Sequence, residues 1–447
     1  MRFLLRYVLI AFSFAVIPLS AAENFPVQVI DMGNTNATVS LESGAKNAST
    51  WFVSDKPVDP MAFSSQMLKG EKRKEATPQS FTPVAVPSNL VKLFGEKKVG
   101  ETIWYYKSFI APSNPLATLS LRLGKINDAD EVYLNGILIG KSGSTSLFDH
   151  AWDKVRVYDI PSSLLRPLEK NIILIRVHVY FSNEYGIIRD HVQIGDSEIM
   201  NRELIVNDIL VLVFLSCYLT FGLYFLFLFL RRPTEKSYLL FSLFIFTLVL
   251  YQFLQTQVKY YVSANFLALK RIEYLALFSI FPAFYFYLRE FFQVKTNKVF
   301  RYIHWGLYAF FAVIVVLYGF VLLVDNPLAW TSWNERVYLK YIMPVLITVS
   351  FAIVVYKIFK RDKNARAIMV GLFFLLVTLV IDNLVYYGII NVPRVTSYVI
   401  FTFIMSLAFI LANQFVRVHK QVEDLNRNLE KKVEERTQEL RESLTRV

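Results

Sequence analysis

Two short segments carry the residue types that could hold a sugar. Asp149, His150 and Trp152 set a carboxylate and an imidazole beside an aromatic face; Asn183, Glu184 and Tyr185 set an amide and a carboxylate beside another. A ligand site of this kind combines an apolar ring surface with a few placed polar groups, usually on loops. The competing expectation is local: turn chemistry and apolar plugging of a domain end. Asp128, Asp130 and Glu131 offer the paired carboxylates of a glycosidase, but their crowding in one turn-to-strand segment predicts a solvated edge instead. The five histidines, His150, His178, His191, His304 and His419, make neither HExxH nor another paired ligand spacing, so no metal is expected. Cys217 is the single cysteine, which excludes an intrachain disulfide and a thiolate cluster. No nucleophile elbow, P-loop or dinucleotide fingerprint stands out, so neither a catalytic residue nor a cofactor is expected.

A second set of polar residues sits where polarity is costly. Asp208, Asp382 and Asn383 fall inside long apolar runs. Buried in a bilayer, such groups face protein or water and hold helices together. Asp382 and Asn383 could favour one of two bundle arrangements, with Arg394 as a partner for Asp382; Asp208 reads as interfacial.

These residues need elements to carry them. The chain has 447 residues, 54% of them hydrophobic and only 19% charged, with 39 Phe and 25 Tyr. That composition belongs to a membrane protein with aromatic interfaces. The net charge of +12 could suggest nucleic acid, but the basic residues gather in short loops between apolar runs, which favours a lipid bilayer and no nucleic acid. Residues 1–22 read as a signal peptide: Arg2 and Arg6, a short apolar core, then Ser20-Ala21-Ala22. Residues 23–195 alternate as short strands. Ile103–Ile110 is one, with Trp104 and Tyr106 in core or lateral packing. Thr118–Leu123 is another, with Leu119, Leu121 and Leu123 on one face. Val132–Ile139 is a hairpin turning at Asn135-Gly136, and Asn171–Tyr180 is a further strand. The expectation is an all-β jelly-roll sandwich.

From residue 203 to 417 seven apolar runs are each near the length that crosses a bilayer, at 205–230, 237–256, 272–292, 303–324, 337–359, 367–389 and 395–416. Odd-numbered loops with their adjoining span ends hold 12 basic residues, among them Arg231, Lys236, Lys295, Lys360 and Arg361; even-numbered loops with theirs hold six, among them Lys259 and Lys270. The richer side is cytoplasmic, which puts the sandwich outside and the C-terminus inside. Residues 418–447 continue as a polar helix with an apolar stripe of Val418, Val422, Leu425, Leu429, Val433, Leu440 and Leu444, broken once by Arg436. Its spacing lies nearer an 11-residue repeat than a strict heptad. Such a stripe predicts a coiled coil and hence a homodimer.

This order resembles the bacterial seven-transmembrane receptors with diverse intracellular signalling modules. The resemblance rests on Gly222-Leu-Tyr-Phe in the first span, the Arg-Arg-Pro loop with Tyr238-Leu-Leu-Phe, and Ile381-Asp-Asn-Leu-Val-Tyr-Tyr-Gly388. The strand texts Trp104–Phe109, Leu119–Gly124, Asp130–Gly136 and Gly140 resemble the galactose-binding-like jelly roll. Leu429–Leu440 resembles the signalling helix that precedes histidine kinase, cyclase or phosphatase domains. The resemblance implies a bacterial inner-membrane receptor for an extracytoplasmic ligand, carbohydrate being one candidate, with a cytoplasmic signalling partner; no phosphoacceptor-His helix and no nucleotide-binding or cyclase motif is seen, so no enzymatic activity is expected from this chain. Two alternatives stay open: the sensor half of a histidine kinase or cyclase, and a sugar transporter.

Overall fold

The computed structural model describes residues 30–32, 38–42, 50–69, 80–113, 118–144, 150–263, 265–294, 298–386 and 396–445. The signal peptide, Asp149 and Arg394 lie outside these residues, as do the side chains of Asp382, Asn383, Val418, Leu440 and Leu444.

Among the described residues, twelve strands form two sheets. One runs β4(Thr82–Val84), β3(Trp51–Ser54), β5(Thr102–Ile110), β10(Lys170–His178), β7(Ala129–Leu134), β8(Ile137–Ser142), with β1(Ile30–Asp31) parallel to β5. The other runs β11(Gly186–Arg189), β6(Thr118–Asn127), β12(Gln193–Asp196), β2(Val39–Ser40), with β9(Val155–Pro161) also on β6. Alternation along the strands decides what lies between the sheets. Leu119, Leu121 and Leu123 of β6 face Ile173, Ile175 and Val177 of β10 in one core, all fully buried. Each such side chain contributes roughly 1.5–3 kcal/mol by leaving water. Trp104 and Tyr106 point to the opposite side of β5. There they join Phe52, Ile172 and Leu174 in a second, smaller core, closed by Met67 and Phe63 from the helix α1(Pro60–Leu68).

The β7–β8 turn is the expected one. Asn135 and Gly136 both have positive φ, 52° and 91°, the signature of a two-residue hairpin. A side chain at Gly140 would overlap the Tyr158 ring, so glycine there is a packing requirement.

β12 runs into a helix with no linker. Asp196 caps it, its carboxylate accepting from the Glu198 N–H at 2.7 Å. Among the described residues, seven helical segments of 20 residues or more then follow. Numbering after the one-turn helix α2(Val91–Phe94), they are α3(Ser197–Arg231), α4(Lys236–Gln255), α6(Phe266–Phe291), α7(Lys298–Leu323), α8(Pro327–Phe359), α9(Lys363–Tyr386) and α10(Thr396–Thr445), with the single turn α5(Lys259–Val262) before α6. Four of them, α3, α4, α8 and the first part of α10, are long and apolar enough to cross a membrane. The helices share one aromatic-rich core, in which Phe225, Phe241, Tyr285, Tyr287 and Trp330 are buried. Gly222 permits close packing there: a Cβ would come 2.7 Å from the Phe246 ring. α10 continues unbroken through the membrane-length segment into the polar tail, where Val422, Leu425, Leu429 and Val433 are all exposed.

Candidate functional site

Two buried charge clusters lie close together where the sandwich meets the helices. The first is inside the sandwich, around Arg156 of β9. Arg156 Nε donates to Asp130 Oδ1 at 2.8 Å; its terminal nitrogens donate to the backbone oxygens of Ala151 (2.6 Å), Lys154 (2.5 Å), Ile126 (3.0 Å) and Asp128. All five guanidinium donors are thereby used, which is what a fully buried arginine requires. Tyr158 donates to the other Asp130 oxygen at 2.6 Å. Asp128 accepts from Ala151 N–H at 2.9 Å and pairs with His150 Nδ1. Asp128 and Asp130 are 2% and 1% exposed, so the expected solvated edge is corrected. The missing information was distant partners: Arg156, 26 residues from Asp130, compensates that carboxylate, and His150 with the Ala151 N–H attends Asp128. Burial pushes the Asp130 carboxyl above its usual range, against the opposing pull of Arg156 and Tyr158.

The second cluster joins the two halves of the molecule. Asp153, in the turn before β9, lies 2.5 Å from Lys259 Nζ in α5 and 2.6 Å from Lys270 Nζ in α6, and accepts from the Tyr260 hydroxyl. Lys270 also pairs with Glu273 at 2.8 Å, and Gln255 donates to Glu273 at 3.0 Å. Burial alone would raise Asp153, but Lys270 and Lys259 outweigh it and hold the carboxyl well below the usual range. Gln257 ties the backbone in as well: its side chain accepts from Val155 N–H at 2.9 Å and donates to Asp153 O at 3.0 Å. Asp208 of α3 accepts from the Gln257 and Val258 N–H groups at 2.8 and 3.1 Å. It thus holds the α4–α5 turn in place, a more specific role than the interfacial one its position suggests. Arg122 of β6 adds a lateral strut, pairing with Asp190 at 2.9 Å and with Glu203 of α3 at 3.4 Å.

An aromatic cup lies between the clusters. His150 packs against Tyr180 with ring centroids 3.8 Å apart and the rings tilted by 41°. Trp152 packs on Phe181 (5.1 Å) and meets Phe266, in the first turn of α6, at 4.4 Å. Asn265 caps that turn, accepting from Ala268 N–H at 3.0 Å. His150 and Trp152 are therefore docking residues for the helical half.

The second expected loop does different work. Asn183 is exposed, and its carbonyl accepts from Asn89 at 3.1 Å; Glu184 pairs with Arg189 at 3.2 Å. Tyr185 is completely buried and donates its hydroxyl to Gly95 O at 2.5 Å. Its ring is unavailable to any ligand, which corrects the expectation of a binding aromatic there: it plugs the sandwich end. Trp152 meets Phe181, and the two loops do not combine into one sugar site.

Sequence reasoning passed over Asp153, Gln257, Tyr260 and Glu273, and counted Lys259 and Lys270 only as loop charges. One signal was present. Glu273 falls inside an expected span, and an acidic residue there asks for a partner. Among the described residues, no group of three His, Cys, Asp or Glu is placed to hold a metal.

No curated protein matches the chain. Among solved structures, a β-glucuronidase from Ruminococcus gnavus is 17% identical with a TM-score of 0.27, over 36% of this chain and 30% of that one. A β-glucuronidase from Faecalibacterium prausnitzii is 18% identical with a TM-score of 0.22, over 35% and 22%. The chain thus spans less than a third of the length of either enzyme. Residues 207–414 match the family described as 7TM diverse intracellular signalling. The helical half of the chain belongs to that family of membrane signalling domains.

Proposed function

We propose that the chain is a bacterial inner-membrane receptor in which the sandwich faces outward, seven helices cross the bilayer, and the paired cytoplasmic tail carries the output. Asp153 is the observation that carries this reading. It stands in the sandwich yet is ion-paired to two lysines of the helical half, so displacement of the sandwich pulls on α5 and α6 directly. A ligand that prefers one docking geometry shifts the bundle between two arrangements. α10 is a single helix from the membrane to the tail, so its rotation or sliding reaches Val422, Leu425, Leu429 and Val433. Their exposure in the single chain supports a coiled-coil homodimer. The output goes to a cytoplasmic partner, with no catalysis in this chain. The carbohydrate reading is weakened by the buried Tyr185 and by the docking of Trp152 on Phe266.

Fusions test the orientation: alkaline phosphatase joined after Leu204 is expected to be active, and green fluorescent protein joined after Val447 to fluoresce. The reverse pattern overturns the topology. Leu429→Cys tests the pairing: tail-to-tail disulfides in membranes are expected, and none at any protein density contradicts a homodimer.

A further inference from the structure

The sandwich holds a cavity of about 60 Å³ directly behind the aromatic cup, lined by Asp128, Ser144, His150, His178 and Tyr180 with Val99 at its rim. Three carboxylates surround the β6–β7 turn, and two have arginine partners: Asp130 has Arg156 at 2.8 Å, and Glu131 has Arg176 at 3.5 Å. Asp128, 2% exposed, has only the His150 imidazole and a backbone N–H; no lysine or arginine nitrogen among the described residues lies within ion-pair distance of it. A buried carboxylate without a permanent cation is costly. His178 adds a second unmet need. Its Nδ1 is buried without a hydrogen-bond partner, while its Nε2 lies 4.0 Å from Glu131. With the proton on Nε2, the nitrogen nearer that carboxylate, Nδ1 is free to accept a hydrogen bond. No lysine or arginine is among the residues lining the cavity; the Asp128 carboxylate and the His178 ring offer acceptors there, the Ser144 and Tyr180 hydroxyls can accept as well as donate, and the Tyr180 ring suits a cation.

We propose that this cavity binds the primary ammonium group of a small amine. About 60 Å³ is several times the roughly 10–15 Å³ that a single water requires, enough for a small ammonium head. A longer substituent leaves past Val99, which is 59% exposed. His150 and Tyr180 form both the cavity wall and the cup that holds Phe266, so occupancy acts on the sandwich–helix junction. This assignment names the ligand class for the receptor reading and rests on it only for its consequence.

Calorimetric titration of the full chain in lipid nanodiscs tests the site. Methylammonium, ethylammonium and ethanolamine are the probes; ethanol controls for charge and tetramethylammonium for size. Saturable binding of the primary amines alone is expected, weakened by about tenfold or more in Asp128→Asn, as loss of a hydrogen bond to a charged group requires. Asp128→Asn disturbs a buried network and can fail to fold. Val99→Trp, at the exposed rim, closes the entrance without touching that network and is expected to abolish binding at an unchanged melting temperature. No saturable heat with any amine overturns the proposal, as does equal affinity in Val99→Trp. Amine binding that leaves the tail unchanged counts against the receptor reading and leaves the site standing.

Discussion

The two charge clusters are built from the same chemistry and held differently. Around Arg156 every donor is satisfied by groups of one domain, several on strands locked by a core of fully buried aliphatic residues. Around Asp153 the partners come from both halves, and two lysines attend one carboxylate. Their proton affinities diverge accordingly. Burial dominates at Asp130 and raises its carboxyl; the lysines dominate at Asp153 and lower it. The first cluster serves the integrity of the sandwich. The second serves its attachment, and attachment is what a receptor can modulate without unfolding.

The largest effect is expected inside the sandwich. Arg156→Met leaves Asp130 buried without its cation and strands four backbone oxygens. A loss of about 3–5 kcal/mol is expected, read as a lowered sandwich transition in thermal unfolding of the full chain. A loss under about 1 kcal/mol, within the range of an exposed pair, would erase the distinction between the clusters. Asp153→Asn comes next, weakening docking by about 2–4 kcal/mol while both halves stay folded. Hydrogen exchange is expected to rise at residues 150–155 and 257–262 and to stay unchanged in β5 and β10. A rise across the whole sandwich would show that the junction is part of its core.

Acidification separates the clusters by sign. The Asp153 carboxyl is depressed on folding, so its contribution is present above the ordinary carboxylate value and is lost only as pH falls through a lower folded value. Asp130 is raised, so its folded form takes up a proton earlier, and acid relieves a buried charge there. From about pH 7 to pH 4 the junction is therefore expected to hold, as read by cross-linking between the Asp153 loop and α5. Detachment within that window breaks the account. The smallest effect belongs to Tyr185→Phe. It removes one hydroxyl bond to Gly95 and is expected to cost about 1 kcal/mol, with amine titrations unchanged.

Much of the sandwich was legible because local periodicity encodes it. Leu119, Leu121 and Leu123 alternate, and Asn135-Gly136 is a turn whose two residues tolerate positive φ. The long apolar helices were legible for the same reason, as was the continuity of α10. The site was not. Arg156 reaches Asp130 across 26 residues, and Lys259 reaches Asp153 across 106; no periodicity links partners so far apart. Trp152 was selected for the aromatic face it could offer a sugar, and it uses its ring against Phe266. Tyr185 looked like a loop aromatic because burial of its ring depends on Gly95 and Leu90, some 90 residues earlier.

The central claim is that the Asp153 junction governs the tail. With the chains paired as proposed, spin labels at Lys431 of full-length chains in nanodiscs report the tail-to-tail distance by electron paramagnetic resonance. The account predicts a shifted distance distribution in Asp153→Asn relative to the unsubstituted junction, with both halves still folded. An identical distribution, alongside raised hydrogen exchange at residues 257–262, would show that the sandwich can let go without the tail responding, and would contradict the claim.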